Sequence, residues 1–208
     1  AAILAAASTL TQHGDRLDAT RQHRFLQLIE QKTRHMTKLV DDMLVVHQSE
    51  LSETKFKPFP LDVFQLVADM VEEQSQTMGD RCPLIVRQSG NSKNFWGDRG
   101  LLRLMLDNLL SNAIKYSPNG EPIEVRLAGK RTCITLTITD KGIGIPSTDQ
   151  ENLFQAFSRA SNVGTIPGTG LGLAIAKTCV ELHNGEISLT SKMGLGTKVT
   201  ISLPKQVS

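Results

Sequence analysis

Asp98-Arg-Gly-Leu-Leu-Arg-Leu-Met-Leu-Asp-Asn-Leu-Leu-Ser-Asn-Ala-Ile-Lys-Tyr116 decides the fold. Asp98 is a good N-cap, and the residues after it carry helical spacing. At about 100° per residue, Leu102, Met105, Leu106, Leu109 and Ala113 share one apolar arc, so this helix must lie on a core. Asn108, Asn112 and Lys115 fall within an arc of about 60° directly beside it. A polar stripe therefore borders a buried face. Two neutral amide oxygens one turn apart suit a hard cation such as Mg²⁺, and Lys115 can meet a phosphate. Taken alone, the stripe is also what a solvated helix edge looks like.

Working outward, Asp62 can cap a helix running to about residue 78, and residues 83–88 read as a strand. Residues 121–127 and 133–139 alternate apolar with polar, as in Ile134, Leu136 and Ile138 against Thr135, Thr137 and Thr139, around a turn at Gly129-Lys130. A short helix is expected near residues 150–157 and another over 170–183, with strands over 186–190 and 198–203. Helices and strands mixed in this order predict a layered α/β arrangement.

Asp140-Lys-Gly-Ile-Gly-Ile-Pro146 ends a strand with a carboxylate and two glycines, where backbone can approach a ligand closely. Gly164-Thr-Ile-Pro-Gly-Thr-Gly-Leu-Gly172 runs straight into a helix, whose free N–H groups make a phosphate cradle. It is no Walker loop, since no Gly-Lys-Ser/Thr follows, and no dinucleotide fingerprint, since no strand precedes it. Gly194-Leu-Gly-Thr197 repeats the theme as a hairpin turn.

Toward the N-terminus the pattern changes. Phe25, Ile29, Met36, Leu39, Met43 and Val46 follow a 4-and-3 spacing, interrupted by Lys32, which predicts one long helix over about residues 21–50. Residues 1–10 favour helix without any N-cap, and Gly14-Asp15 breaks it, giving a helical hairpin whose seam a second copy would cover. Lys55-Phe-Lys-Pro-Phe-Pro60 cannot continue a helix, so the boundary is placed between residues 54 and 55.

Composition closes other routes. Lys plus Arg number 23 against 21 Asp plus Glu, a net +2, which gives no electrostatic reason for a nucleic-acid or anionic-membrane partner. The longest apolar run, residues 1–7, is far short of the roughly 20 residues of a membrane span. Cys82, Cys133 and Cys179 lack zinc or disulfide spacing and read as buried or inert thiols in a reducing compartment.

Phe95-Trp-Gly-Asp98 with Asn108-Leu-Leu-Ser-Asn-Ala-Ile-Lys-Tyr-Ser-Pro118 resembles the N box of the sensor histidine kinases of two-component signalling. Asp140-Lys-Gly-Ile-Gly144 is similar to their first glycine box, Phe154-Gln-Ala-Phe-Ser-Arg159 to their F box, and Gly168-Thr-Gly-Leu-Gly-Leu173 to their second glycine box. The resemblance covers about residues 55–205. It implies an α+β chain: a helical hairpin over 1–54, half of a dimeric four-helix bundle, then an α/β sandwich of the Bergerat type over 55–208 that binds ATP.

The resemblance also implies residue roles. Asn112 and Asn108 hold Mg²⁺, Lys115 contacts phosphate, Tyr116 lies against the adenine, and Asp140 accepts from its exocyclic amine. Gly142, Gly144, Gly168, Thr169, Gly170, Leu171, Gly172 and Leu173 line the nucleotide. A lid over about residues 158–169 closes on the triphosphate, and Arg159 assists at the γ-phosphate. Arg159, Lys115 and Asn108 form the catalytic set. The partners implied are a second copy and a response-regulator receiver domain, in the cytoplasm, whether or not the full-length protein is anchored elsewhere.

The phospho-accepting His-Glu-x-x-x-Pro-Leu context is absent around His13, His23, His35, His47 and His183. The chain then reads as a fragment beginning just after that box, with His35 and His47 as surface or seam histidines, and it is expected not to phosphorylate itself. Two rivals stand beside the kinase. DNA gyrase and related ATPases resemble this fold, but they place a glutamate base where Asn108 stands, and an amide is a poor base. A degenerate scaffold would bind partners without binding nucleotide.

Overall fold

The computed structural model describes residues 2–48, 56–78, 82–93 and 95–205. The chain forms two compact units, Ala1–His47 and Gln48–Ser208. The boundary expected at 54/55 lies outside the described residues.

The first unit is a helical pair. Helix α1 (Ala2–His13) passes through a 3-10 turn (Gly14–Arg16) into the 30-residue α2 (Ala19–Gln48). Asp18 starts α2: its carboxylate accepts from Arg21 N–H at 2.8 Å and its carbonyl from Gln22 N–H at 3.0 Å. The Gln22 amide reaches back to the Gly14 carbonyl at 2.8 Å, which closes the turn. Ala6 is the buried hydrophobic among this unit's described side chains, while Leu26, Met36, Val40, Met43 and Leu44 are each more than half exposed. The side chains of His35, Leu39, Val46 and His47 lie outside the described ones.

The second unit is one sheet with helices on one face. Its elements are β1 (Phe59–Pro60), α3 (Val63–Met78), β2 (Leu84–Gly90), β3 (Trp96–Gly97), α4 (Arg99–Tyr116), β4 (Ile123–Gly129) and β5 (Cys133–Thr139), then α5 (Ser147–Gln150), α6 (Gly172–Leu182), β6 (Glu186–Lys192) and β7 (Gly196–Pro204). The five-stranded sheet runs β2-β4-β5-β7-β6. Only the β2–β4 pair is parallel, with α4 in its crossover, and every other pairing is antiparallel. Strands β1 and β3 form a separate antiparallel ribbon that the sequence reading does not contain.

Alternation sets the layers. Ile123, Val125 and Leu127, Ile134, Leu136 and Ile138, and Val199, Ile201 and Leu203 all turn to the buried face. There they meet α3, α4 and α6, whose Leu66, Leu102, Leu106, Leu110, Ile114 and Ile175 are fully buried. Each such side chain contributes about 1.5–3 kcal/mol of transfer free energy. The opposite face carries Thr135, Thr137 and Thr139. Cys82 and Cys179 are buried, Cys133 is half-buried, and all three are free thiols.

The helix expected over 150–157 is corrected. Helix stops at Gln150, and the chain then descends in turns, Asn152 N–H to Asp149, Gln155 to Asn152 and Ser158 to Gln155, each closing on the third residue back. Asp149 and Gln150 point away to bond Ser161 and the Ser191 carbonyl, and Phe157 takes a φ of 64°, which no helix continues through. Tertiary anchors override the helical composition of this stretch. Elsewhere the expected elements are present with ends moved by a few residues. Among the described residues no helix is long and apolar enough to cross a membrane.

Candidate nucleotide site

The end of α4, the loop after β5 and the start of α6 converge. Asp98 caps α4 by accepting from Gly100 N–H at 2.9 Å and Leu101 N–H at 3.2 Å. The apolar arc of α4 then lies on the core, which leaves Asn108, Asn112, Lys115 and Tyr116 half-buried along its border. A methyl group at Gly172, the first residue of α6, would sit 3.1 Å from Asn108 Oδ1 and 3.2 Å from Asn112 Nδ2. The two asparagines thus face the start of α6 across a gap that only a missing Cβ keeps open. Asn108 also donates through Nδ2 to the Leu104 carbonyl at 2.9 Å, which fixes the direction of its oxygen.

Lys115 Nζ lies 2.9 Å from Tyr116 Oη and 4.5 Å from the centroid of that ring. A Cβ at Gly168 would collide with the same ammonium. The glycine-rich loop therefore passes directly over the lysine that the sequence pairs with phosphate. Further along it, Thr169 Oγ1 accepts from Leu171 N–H at 3.3 Å, and Gly170 (φ 77°) backs onto Phe157 and Ser158. Leu171 is buried and Leu173 half-buried, so both anchor the loop to the core rather than line an open surface.

Asp140 ends β5 with 9% of its surface exposed. Its Oδ1 accepts from Gly142 N–H at 2.8 Å and Thr197 N–H at 3.1 Å, while Oδ2 has no hydrogen-bond partner among the described residues. Burial raises the pKa of this carboxyl above the ordinary aspartate value, and the two backbone donors only partly offset it. One oxygen saturated and one available is the arrangement of a fixed acceptor. The Tyr116 carbonyl accepts from Ile143 N–H at 3.3 Å, joining the end of α4 to this loop. Gly144 packs against the Lys192 carbonyl, and Asn162 Nδ2 donates to the Gly144 carbonyl at 2.8 Å.

Arg159 stands apart. It is exposed, and its Nη2 donates to the Ile166 carbonyl at 2.6 Å within the loop itself. The structure brings Asn108, Asn112, Lys115, Tyr116, Gly168 and Gly172 together in one cluster and Asp140 and Gly142 beside Tyr116, with Gly144 packed against Lys192 instead, and it leaves Arg159 on the loop's own backbone. The sequence reading takes Gly194–Thr197 as a hairpin turn that repeats the glycine theme and gives Gly196 and Thr197 no role of their own. A Cβ at Gly196 (φ 104°) would strike the Asp140 carbonyl, so this hairpin turn also supports the carboxylate. The repeated glycines of 194–197 were the available signal.

No three His, Cys, Asp or Glu side chains cluster as metal ligands among the described residues. Asn108 and Asn112 are neutral donors, which fit an ion that arrives already neutralised by phosphates.

Known proteins resemble this chain in sequence and fold. Residues 97–207 match the family described as histidine kinase-, DNA gyrase B-, and HSP90-like ATPase. Sensor histidine kinase WalK of Bacillus subtilis is 31% identical over 185 residues, 87% of this chain and 30% of WalK. Sensor-like histidine kinase SenX3 of Mycolicibacterium smegmatis is 31% identical over 201 residues, 96% of this chain and 52% of SenX3. The chain thus spans about half or less of these relatives' length. Among solved structures, the mycobacterial sensor histidine kinase MprB superposes with a TM-score of 0.62 at 30% identity, over 74% of this chain and 99% of that one. Full-length ShkA in complex with AMPPNP shares the fold, with a TM-score of 0.77 at 22% identity over 92% of this chain and 40% of ShkA. With the family matched over more than half its length, the chain belongs to the histidine kinase-, DNA gyrase B- and HSP90-like ATPases and carries the ATP-binding domain of a sensor histidine kinase.

Proposed function

We propose that this chain binds Mg-ATP between the end of α4 and the start of α6 and transfers the γ-phosphoryl group to a protein histidine outside its own five. The observation that carries the reading is the Gly172 gap, with two amide side chains facing a glycine-started helix across it. The names of the relatives WalK and SenX3, and the nucleotide analogue bound by ShkA, support it.

In this reading Asp140 Oδ2 accepts from the adenine amine, and Tyr116 lies along the base. Lys115 leaves Tyr116 Oη for the phosphates, and Arg159 leaves the Ile166 carbonyl for the γ-phosphate as the loop closes. Asn108 and Asn112 would hold Mg²⁺, which supplies charge neutralisation at the triphosphate when bound. Phosphoryl transfer needs alignment and charge balance more than covalent help, and these residues provide both. Asn108 stands where a hydrolase needs a base, and an amide cannot take the proton of water, which favours histidine over water as acceptor. The helical unit would pair two copies, residues 55–208 would be the catalytic part, and a response-regulator aspartate would receive the phosphoryl group next.

The chain should bind Mg-ATP in calorimetry, yet neither label itself nor hydrolyse it at a steady rate. Extending its N-terminus with a segment in which His is followed by Glu should bring acid-labile labelling that depends on Asn112. Labelling on one of the five present histidines would misplace the acceptor, sustained hydrolysis would turn the reading toward an ATPase, and absence of binding would leave a scaffold.

A further inference from the structure

His183 is used by nothing in the site above, yet it is 5% exposed and joins three segments. Its Nδ1 lies 2.7 Å from the Cys179 carbonyl, its Nε2 lies 3.0 Å from Asp98 N, and the edge of its ring meets the Phe56 ring at 4.9 Å between centroids. A carbonyl only accepts and an amide N–H only donates. The ring is therefore neutral, with the proton on Nδ1 and the lone pair of Nε2 receiving Asp98 N–H.

Asp98 is the N-cap of α4, and its Oδ2 accepts from Lys57 N–H at 3.1 Å. His183, the C-cap of α6, therefore ties the end of α6 to the N-cap of α4, where residues 56 and 57 also dock. The asparagine stripe faces the opposite end of α6, at Gly172. Asn108 is ten residues from Asp98, roughly 15 Å along a rigid helix. Whatever fixes α4 lengthwise at Asp98 bears on the stripe at Gly172, where one added methyl would already require the asparagines to give by a few tenths of an ångström.

We propose that His183 is a positioning residue for nucleotide binding: as an Nδ1–H imidazole it sets the axial placement of α4 against α6 and so holds Asn108 and Asn112 at Gly172. This rests on the reading that Mg-ATP binds there. The titratable group acting on the ring is the Asp98 carboxylate from the β3–α4 loop; Cys179 meets the ring through its backbone carbonyl, and its thiol is held neutral, pushed up to about 12 by burial and by the Asp98 charge. The 56–57 segment presents the apolar Phe56 ring, and the Lys57 backbone N–H goes to Asp98. Desolvation outweighs both the bond to the Cys179 carbonyl and the Asp98 charge and lowers the pKa of His183 below the ordinary value, so the neutral form prevails near neutrality. Protonation places a hydrogen on Nε2 against Asp98 N–H and breaks the tie.

The test uses the full chain. His183→Leu, which strands Asp98 N–H, should weaken Mg-ATP binding by about 10-fold, the lower end of what removing a supporting partner does to a site. His183→Gln, which keeps a donor and an acceptor, should recover most of it. Without nucleotide, the side-chain amide resonances of Asn108 and Asn112 should move in His183→Leu, stay in His183→Gln, and in the unmutated chain follow the titration of the His183 ring. Unchanged affinity and amides in a folded His183→Leu, or amides that stay flat while His183 titrates, overturn the proposal. That last arm needs no variant to fold. Amides that move in a chain that binds no Mg-ATP would uphold the positioning and sink the functional reading instead.

Discussion

Asp140, proposed to accept from the adenine amine, sets binding against stability. Its folded-state pKa is raised, so the folded chain holds the proton more tightly than the unfolded chain does. Stability from this group is present below the unfolded aspartate value and is lost as pH rises through that value to the folded one. At pH 7 the ionised carboxylate therefore opposes folding. Asp140→Asn keeps an oxygen for Gly142 and Thr197 N–H but places an amide donor toward the adenine amine. The variant should melt higher than the parent at pH 7 while its Mg-ATP affinity falls by about 10-fold or more, the scale of one charged hydrogen bond. A lower melting temperature with unchanged affinity would contradict both halves. Gly172→Ala offers the same contrast. Alanine favours a helical first turn by up to about 1 kcal/mol over glycine, yet its methyl must displace Asn108 or Asn112. Stability should hold while calorimetry shows weaker Mg-ATP binding.

At the scale of elements, the glycine-rich loop is not uniform. Residues 161–163 form a 3-10 turn held by Asp149, whose Oδ2 accepts from Ser161 N–H and Oγ at 2.7 Å each, and by Asn162 on Gly144. Hydrogen bonding keeps the Asp149 carboxyl below the ordinary aspartate value. Beyond it, Gly164, Thr165, Pro167 and Gly168 are exposed. Without nucleotide, amides of 164–169 should exchange fastest in the second unit, and 161–163 should exchange more slowly. Asp149→Ala should erase that step, and equal protection across 158–169 in the parent would refute the anchor. The lid expected over 158–169 thus contains an anchored part at 161–163 and an exposed part beyond it, because Asp149 and Gly144 reach it from the preceding segment. No local pattern at Ser161 or Asn162 announces them.

Taken whole, the first unit leaves a run of large apolar side chains uncovered among its described residues. Leu26, Met36, Val40, Met43 and Leu44 remain exposed along α2, an apolar stripe that water penalises and a second copy would cover. Sedimentation of the full chain should show a dimer, and Val40→Glu with Met43→Glu should give a monomer that still binds Mg-ATP, since the nucleotide site lies in the other unit. A monomeric parent would overturn the pairing. The sequence by itself determined the α2 seam at Met36 and Met43, to which the structure adds Leu26, Val40 and Leu44, the caps at Asp62 and Asp98, the alternation of β4 and β5 and the order of the glycine boxes, because each is set by neighbours within a turn or a strand. Only the tertiary structure decided that Gly172 faces Asn108 and Asn112, that Thr197 holds Asp140, that residues 151–157 turn rather than coil into a helix, and that His183 meets Asp98. Each depends on contacts between separate segments: α4 against α6 for Gly172 and His183, β7 beside β5 for Thr197, and the bonds of Asp149 and Gln150 to Ser161 and Ser191 for residues 151–157.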